Sequence, residues 1–414
     1  MIKVLVVGSG GREHALVWKL NQSQCKVYCA PGNGGIAQLA TCVPISSDNI
    51  SGLRAFVKQE NIDLTVVGPE LPLSLGIVDE FQRYGHKIFG PTQNAARLET
   101  SKAFAREFCR KYNLPIPNFE IFKDSKKAID YLQTKNFPVV IKVSGLAQGK
   151  GVFIVHDLNA ATSVINDILE KGSFGTAGDT IVIEDFIKGK EVSLLTLCDG
   201  NKIISCIPAR DHKPLYDGNV GPNTGGMGTY APIPELTEEW SRKIERELLA
   251  PLISALQKEN IEYRGVLYIG LIISDDKCYI LEFNCRWGDP EAEVLLPLLK
   301  NDFIETCVEV IDGKLSNLSW QKRYALTVIM ASGGYPGKYE VGKIIEGDLV
   351  EDKNTIIFHC GTKKINHNFY TNGGRVLAVT GLGDTLTEAR EYAYQRVANI
   401  KFENMYYRKD IGLL

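Results

Sequence analysis

The run Ile2-Lys-Val-Leu-Val-Val-Gly8 constrains the fold more than any other stretch of this chain. A run so continuously apolar and β-branched has no polar face to offer water, so it reads as a strand of a parallel sheet covered on both sides. Leu64-Thr-Val-Val-Gly68 repeats the pattern, and a shorter strand is expected within Gly85–Gly90. Helix-like stretches lie between these strands. Residues 1 to about 100 are therefore expected to form an open, doubly wound α/β sheet, with ligands at the carboxyl ends of its strands. At 414 residues and 44% hydrophobic content there is core-forming material for two to four domains.

Charge and cysteine usage exclude several classes. A formal net charge of −2 leaves no electrostatic footprint for nucleic acid or an anionic membrane. No apolar run approaches the roughly 20 residues of a membrane span, and the first one is too short for the core of a signal peptide. The ten cysteines include no Cys-x-x-Cys pair. Neither a zinc site nor a disulfide framework is indicated, and buried thiols in a reducing, cytoplasmic compartment are expected.

Pro115 and Pro117 interrupt a helical pattern over 101–112 and mark a change of domain. Residues 118 to about 190 read as a small α/β unit with strands near 139–143 and 180–184. Two hairpins follow, one turning at Asp199-Gly200 and one at Ser274-Asp-Asp. Beyond Trp320 come strands near 324–331, 355–360 and 375–379. The closing helix starts at a capping box, Thr385-x-x-Glu388, with Leu386, Ala389, Ala393 and Val397 on one stripe. The expected division is 1–100, 101–325 with a mobile lid at about 118–190, and 326–414.

Several segments carry chemistry. Gly8-Ser-Gly10-Gly11-Arg12-Glu13-His14 leads from the first strand into a helix, the geometry in which backbone N–H groups bind phosphate. A dinucleotide fingerprint would need glycine where Glu13 stands and an acid ending the second strand, and that strand ends Cys29-Ala-Pro31 instead. A monophosphate site and a plain tight turn remain open, and the loops at 31–35 and 68–76 either complete such a pocket or are turns only. Lys142 lies inside an apolar strand, costly unless it meets an anion. The following Gly145-Leu146-Ala-Gln-Gly149-Lys150-Gly151 is no Walker A loop. It reads as a flap over nucleotide phosphates or as an ordinary hairpin. The connector Glu184-Asp-Phe186-Ile187 offers backbone groups to an adenine edge, with Ile187 and Leu281 as apolar walls and Glu191 as an acceptor for ribose hydroxyls; a polar turn is the alternative.

Strand alternation over Leu281-Glu282-Phe-Asn284-Cys-Arg286 puts Glu282, Asn284 and Arg286 on one face and Leu281, Phe283 and Cys285 on the other. A carboxylate and an amide oxygen two residues apart suit a hard cation, and Arg286 can grip a second anion. Asp211-His-Lys213 and Gly221–Gly228 read as a glycine-rich, mobile loop between a strand and a helix, of the kind that folds over substrate.

The ordered set Lys102, Lys142, the 145–151 flap, Glu184 to Glu191 and Glu282-x-Asn284 resembles the ATP-grasp superfamily. Within it, Gly8 to His14, Asp211-His-Lys213, Gly221-Pro-Asn-Thr-Gly-Gly-Met-Gly228 and Glu282-Phe-Asn-Cys-Arg-Trp-Gly-Asp-Pro-Glu291 resemble the phosphoribosylamine–glycine ligase family. The likeness covers essentially the whole chain, including Tyr407-Arg-Lys-Asp-Ile-Gly412. It implies an ATP-grasp fold with an N-terminal Rossmann-like domain and a small C-terminal mixed α/β domain. It also implies ATP-dependent ligation of glycine to 5-phosphoribosylamine through glycyl phosphate, the second step of purine synthesis. By the same resemblance, Lys102, Lys142, Gly145, Leu146, Gly149 and Lys150 would meet ATP, as would Glu184, Phe186, Ile187, Glu191, Lys213 and Leu281. Glu282 and Asn284 would hold Mg²⁺ or Mn²⁺. Gly10, Gly11, Arg12 and Glu13 would take the ribose phosphate. Arg286 and Asp211 would be catalytic, with Asn223, Gly225, Gly226 and Met227 bordering the substrates.

A monomer or weak homo-oligomer without nucleic-acid or membrane partners is expected. Three departures from the family pattern stand out: Ser144 where it has aspartate, Trp287 where it has phenylalanine, and no acid on Tyr268-Ile-Gly-Leu271 to serve as a further metal ligand. Two rival readings are a purine-pathway ATP-grasp ligase using bicarbonate or formate, and a nucleotide-binding regulator without turnover. The Gly-Gly-Arg-Glu-His loop disfavours the first, and the intact Lys142, Glu282 and Asn284 disfavour the second.

Overall fold

The computed structural model describes residues 1–147 and 149–413; Gln148, inside the expected flap, and Leu414 lie outside the described residues. The first sheet is parallel throughout, ordered Thr41–Cys42, Cys25–Pro31, Ile2–Gly8, Leu64–Val67, Ile88–Phe89. Residues 4–7 are fully buried, as their unbroken apolar run demands. The strand order reverses between Ile2–Gly8 and Leu64–Val67, so the loops that follow these two strands flank one crevice.

An antiparallel sheet of Phe119–Phe122, Ile181–Asp185, Val139–Val143 and Val152–Val155 forms the next unit. It packs a core of its own around Ile141, Val143, Ile165 and Ile183. Both expected hairpins then form and join into a third sheet, Ile203–Ser205, Lys190–Asp199, Arg264–Ser274, Lys277–Asn284. Its last pairing slips: Gly270 faces Glu282 but Leu271 faces Ile280, leaving Leu281 as a bulge. Simple alternation therefore fails at this point. Leu281 and Glu282 both line the same cavity instead of opposite faces.

The fourth sheet runs Arg210–Asp211, Gly228–Ala231, Tyr324–Ala331, Arg375–Gly383, Thr355–His359. The segments 211–213 and 221–228, expected as a loop between a strand and a helix, are loop only in part: Asp211 and Gly228 belong to strands of the sheet that carries the C-terminal residues, and 224–227 stays irregular. A small hairpin, Pro214–Tyr216 with Val220–Asn223, projects from it. Glycine makes this path possible: Gly226 has φ of 107°, and a β-carbon there would collide with Pro290. The closing helix Leu386–Ala398 has its capping box and buries Leu386, Ala389, Ala393 and Val397. Among the described residues no helix is long and apolar enough to cross a membrane. All ten cysteines are free, and all but Cys25 and Cys42 are buried.

Candidate active site

A cavity of about 1200 Å³ opens where these units meet, roomy enough for more than one substrate. Arg12 and Glu70 reach it from the first sheet, Lys142 and Gly149 from the second, Glu282 and Asn284 from the third, and Arg375 from the fourth.

On the second-sheet side, the Lys142 ammonium sits 2.8 Å from Glu184 Oε2 and donates to the Leu281 carbonyl, also at 2.8 Å. Arg106 grips the same carboxylate with two bonds, 2.6 and 3.0 Å, and donates to the carbonyls of Ile280 and Leu281. Burial pushes the Glu184 carboxyl up, but Arg106 and Lys142 outweigh it and hold it below the usual range. Burial pushes Lys142 down. Glu184, expected as an ATP contact, lines the cavity, and its oxygens pair there with two buried cations, Arg106 and Lys142. Arg106 went unrecognised in the sequence, although it stands four residues after Lys102 and shares a face of the helix Lys102–Lys111.

Lys102 opens that helix and lines the cavity. Ser101 Oγ accepts from Phe104 N–H at 3.2 Å and Ser144 Oγ from Ala103 N–H at 3.1 Å, so two hydroxyls cap one N-terminus. Ser144 thus supplies an acceptor where the family pattern has a carboxylate. In the flap, Leu146 and Gly149 line the cavity. Gly145 and Lys150 do not: Gly145 donates to the Ala177 carbonyl and packs on that residue, and Lys150 points to solvent. Phe186, Ile187, Glu191 and Leu281 all line the cavity, as the connector reading requires.

On the third-sheet wall, Glu282 Oε1 lies 3.1 Å from Lys213 Nζ. Lys213, then Lys142 and Lys102, hold the Glu282 carboxyl down at about 2 against the push of burial. A β-carbon on Gly270 would lie 2.9 Å from Glu282 Cγ, so the position across the ladder has no room for a further acidic ligand. Among the described residues no group of three or more His, Cys, Asp and Glu is arranged to hold a metal. One carboxylate and one amide oxygen on a cavity wall still fit a hard cation that completes its shell with phosphate oxygens and water.

Arg286 is heavily engaged. Its Nε lies 3.3 Å from Glu70 Oε2, and one terminal nitrogen lies 3.1 Å from Glu99 Oε1 and 3.3 Å from Asn284 Oδ1. The other donates to the Trp287 carbonyl, which Arg12 also reaches. Burial raises the Glu99 carboxyl. At Glu70 burial pushes upward too, yet Arg286 and Arg12 bring it down to about 2.

The phosphate-loop expectation needs correcting in detail. Glu13 Oε2 accepts the N–H groups of Ser9 and Gly10 at 3.1 and 2.5 Å, so the two loop amides that precede the helix already hold an internal carboxylate. Arg12 lines the cavity; Gly10, Gly11 and Glu13 do not. The loop at 31–35 joins units rather than completing a pocket, since Asn33 Nδ2 donates to the carbonyls of Ser9 and His359. His14 Nδ1 accepts from His359 N–H, a structural use.

Toward the fourth sheet, Asp211 lines the cavity with Oδ1 buried and unpartnered, and burial and the neighbouring Glu291 raise its carboxyl well above the usual range. Asn223 and Gly225 stand at the cavity edge. Gly225 is locked by groups the sequence reading missed: its N–H donates to Tyr335 Oη at 3.0 Å and its carbonyl accepts from Arg375 at 2.6 Å. Gly226 N–H is taken by Thr224 Oγ1. Met227 is a further correction: fully buried against Leu215 and Ala331, it is a core residue and not a substrate contact.

Two antiparallel sheets on one cavity, with Lys102 and the buried Lys142 on one side and Glu-x-Asn on the other, are the arrangement of an ATP-grasp enzyme. Family models described as phosphoribosylglycinamide synthetase match along the chain: the N domain over residues 2–99, the ATP-grasp (A) domain over 100–292 and the C domain over 325–414. The chain is 49% identical over 415 aligned residues to a phosphoribosylamine–glycine ligase of Caldanaerobacter subterraneus, covering 99% of each. A solved phosphoribosylamine–glycine ligase from Thermotoga maritima superposes with a TM-score of 0.84 at 33% identity, over 99% of this chain and 100% of that one. Biotin carboxylase from Campylobacter jejuni, 14% identical with a TM-score of 0.77 over 99% and 94% of the two chains, shares the fold alone. The chain belongs to the phosphoribosylglycinamide synthetase family.

Proposed function

We propose that the chain joins glycine to 5-phosphoribosylamine at the expense of ATP, giving N1-(5-phosphoribosyl)glycinamide, ADP and phosphate. The observation that carries this reading is the meeting of Lys102, Lys142, Glu282, Asn284 and Arg286 on the walls of one cavity. A free carboxylate is a poor acyl donor, so glycine must first be activated. Its carboxylate oxygen attacks the γ-phosphorus of ATP, ADP leaves, and glycyl phosphate forms. The amine of phosphoribosylamine then attacks the acyl carbon, phosphate leaves, and the amine gives up a proton. Catalysis of this kind is chiefly positioning and charge neutralisation.

In this reading the adenine lies along 185–187 between Ile187 and Leu281, and Lys102 and Lys142 hold phosphate oxygens. A divalent ion, Mg²⁺ or Mn²⁺, on Glu282 and Asn284 would neutralise further phosphate charge when bound. Arg286 takes the carboxylate of the acyl donor. Arg12 faces the ribose phosphate, and Asp211, with its unpartnered oxygen and raised carboxyl, receives the amine proton. The flap around Leu146 and Gly149 excludes water, to which an acyl phosphate would otherwise be lost. Free, mostly buried thiols support a reducing, cytoplasmic setting.

The test is Mg²⁺-dependent ADP release with glycine and freshly prepared phosphoribosylamine, beside single-substrate controls. Release should need both substrates and collapse in a folded Glu282→Ala variant. A folded, ATP-binding protein that releases no ADP with this pair would rule the reading out.

A further inference from the structure

We propose that Glu70 selects an amino acid over a simple carboxylate as acyl donor, receiving its ammonium group while Arg286 receives its carboxylate. This rests on the glycine-activating reading and adds to it the group that recognises the zwitterion.

The partners of Arg286 fall into two kinds. Glu99 is fixed: its side chain is 6% exposed and its second oxygen accepts the Cys285 N–H at 2.6 Å. The Trp287 carbonyl is backbone and equally fixed. Glu70 differs. Its side chain is 27% exposed, it lines the cavity, and it meets Arg286 through one contact of 3.3 Å. Guanidinium–carboxylate pairs at full strength are shorter, about 2.7–2.9 Å, and often two-pronged. The pair is loose on its cavity side, and both members keep capacity for a ligand.

An ionised carboxylate beside a guanidinium on a cavity wall is the charge complement of an α-amino acid. Arg12 stands near enough to stabilise the Glu70 charge but makes no hydrogen bond to it: its Nε is committed to Glu13 at 2.6 Å and a terminal nitrogen to the Trp287 carbonyl. A donor carboxylate that displaces Glu70 from Arg286 Nε leaves the Glu70 oxygens free for the donor's ammonium, so one loose pair becomes two. Formate, bicarbonate or acetate would bring a negative charge beside Glu70 and no ammonium group to meet it. The same residue is therefore attractive to amino acids and repulsive to simple carboxylates, and selectivity needs both. Location agrees: Arg286 donates to Asn284 Oδ1, so a carboxylate held by Arg286 lies beside the phosphate-facing wall.

The experiment compares wild type, Glu70→Gln and Glu70→Asp by steady-state ADP release, with glycolate, in which hydroxyl replaces ammonium, as competitor against glycine. Losing a charge-assisted bond should raise the glycine KM about 10- to 100-fold in Glu70→Gln. The ATP KM should stay within about twofold, glycolate should inhibit as well or better, and Glu70→Asp should recover part of the loss. A purely structural Glu70 would weaken glycine and glycolate together; that result, or an unchanged glycine KM, overturns the assignment. If wild type itself shows no glycine-dependent release, the underlying reading fails and Glu70 falls with it. If wild type is glycine-dependent and Glu70→Gln keeps its discrimination, Glu70 alone is refuted.

Discussion

Replacing Arg106 by methionine keeps an unbranched stem and removes the guanidinium that holds Glu184. Glu184 is 2% exposed and would lose two of its three contacts with cations, keeping only Lys142 at 2.8 Å. The Ile280 and Leu281 carbonyls would lose a donor as well. Removing one partner of a buried ion pair costs about 3–5 kcal/mol, and the surviving Lys142 argues for the lower end, about 3 kcal/mol. Glu184→Met should cost a similar amount, since it strands two cations. The double variant should be milder than the two losses combined, by at least about 1.5 kcal/mol, because the charges that strand each other are gone together. Urea denaturation followed by circular dichroism measures all three. The ATP KM should rise in Arg106→Met, since Lys142 would be drawn wholly to Glu184 and the Leu281 bulge would lose an anchor. A single-variant loss below about 1 kcal/mol, or strict additivity in the double variant, would refute this account of the cluster.

Gly270→Ala should turn Glu282 out of position, because the new β-carbon would lie 2.9 Å from its Cγ; the Mg²⁺ concentration for half-maximal activity should rise several-fold, and an unchanged requirement would count against the metal assignment. Ser144→Ala should cost about 1 kcal/mol through the lost cap on Ala103, whereas Ser144→Asp should hold stability, as denaturation midpoints would show. Burial holds His212 and His359 at about 4, so between their ordinary 6.5 and 4 the unfolded chain binds more protons than the folded one. Stability should be intact above pH 6.5 and fall on acidification through that window, by up to about 1.4 kcal/mol per pH unit for each histidine. Midpoints that stay level from pH 7 to 5 would contradict this.

Much of the cavity wall could be read along the chain because its parts are local. Glu282 and Asn284 sit two residues apart on one strand, Lys142 is conspicuous in an apolar run, and the connector from Glu184 to Glu191 is a contiguous segment. What the chain conceals has a different cause. Whether Glu184 is free, whether the Gly10 amide is vacant, and whether Met227 faces substrate all depend on what arrives from elsewhere. Arg106 arrives from a helix 78 residues away in sequence, and Leu215 and Ala331 arrive around Met227 from different sheets. At Gly10 the occupant is local in sequence: Glu13, three residues on, reaches back to the Gly10 N–H, a bond that needs no tertiary partner.

Sequence alone determined the units of this protein and their chemistry. Uninterrupted β-branched runs can be stable only in a covered parallel sheet, alternating runs joined by short turns only as hairpins, and the capping box with its stripe only as a docked helix. Tertiary structure decided which charges remain available to a ligand. A carboxylate or guanidinium carries the same sequence letter whether it is spent on a buried partner or open to a cavity, and burial makes the two cases differ by several kcal/mol. That is why Glu184 and Glu70, both acids beside an arginine, have opposite fates here: one is enclosed by Arg106 and Lys142, the other left half-open beside Arg286.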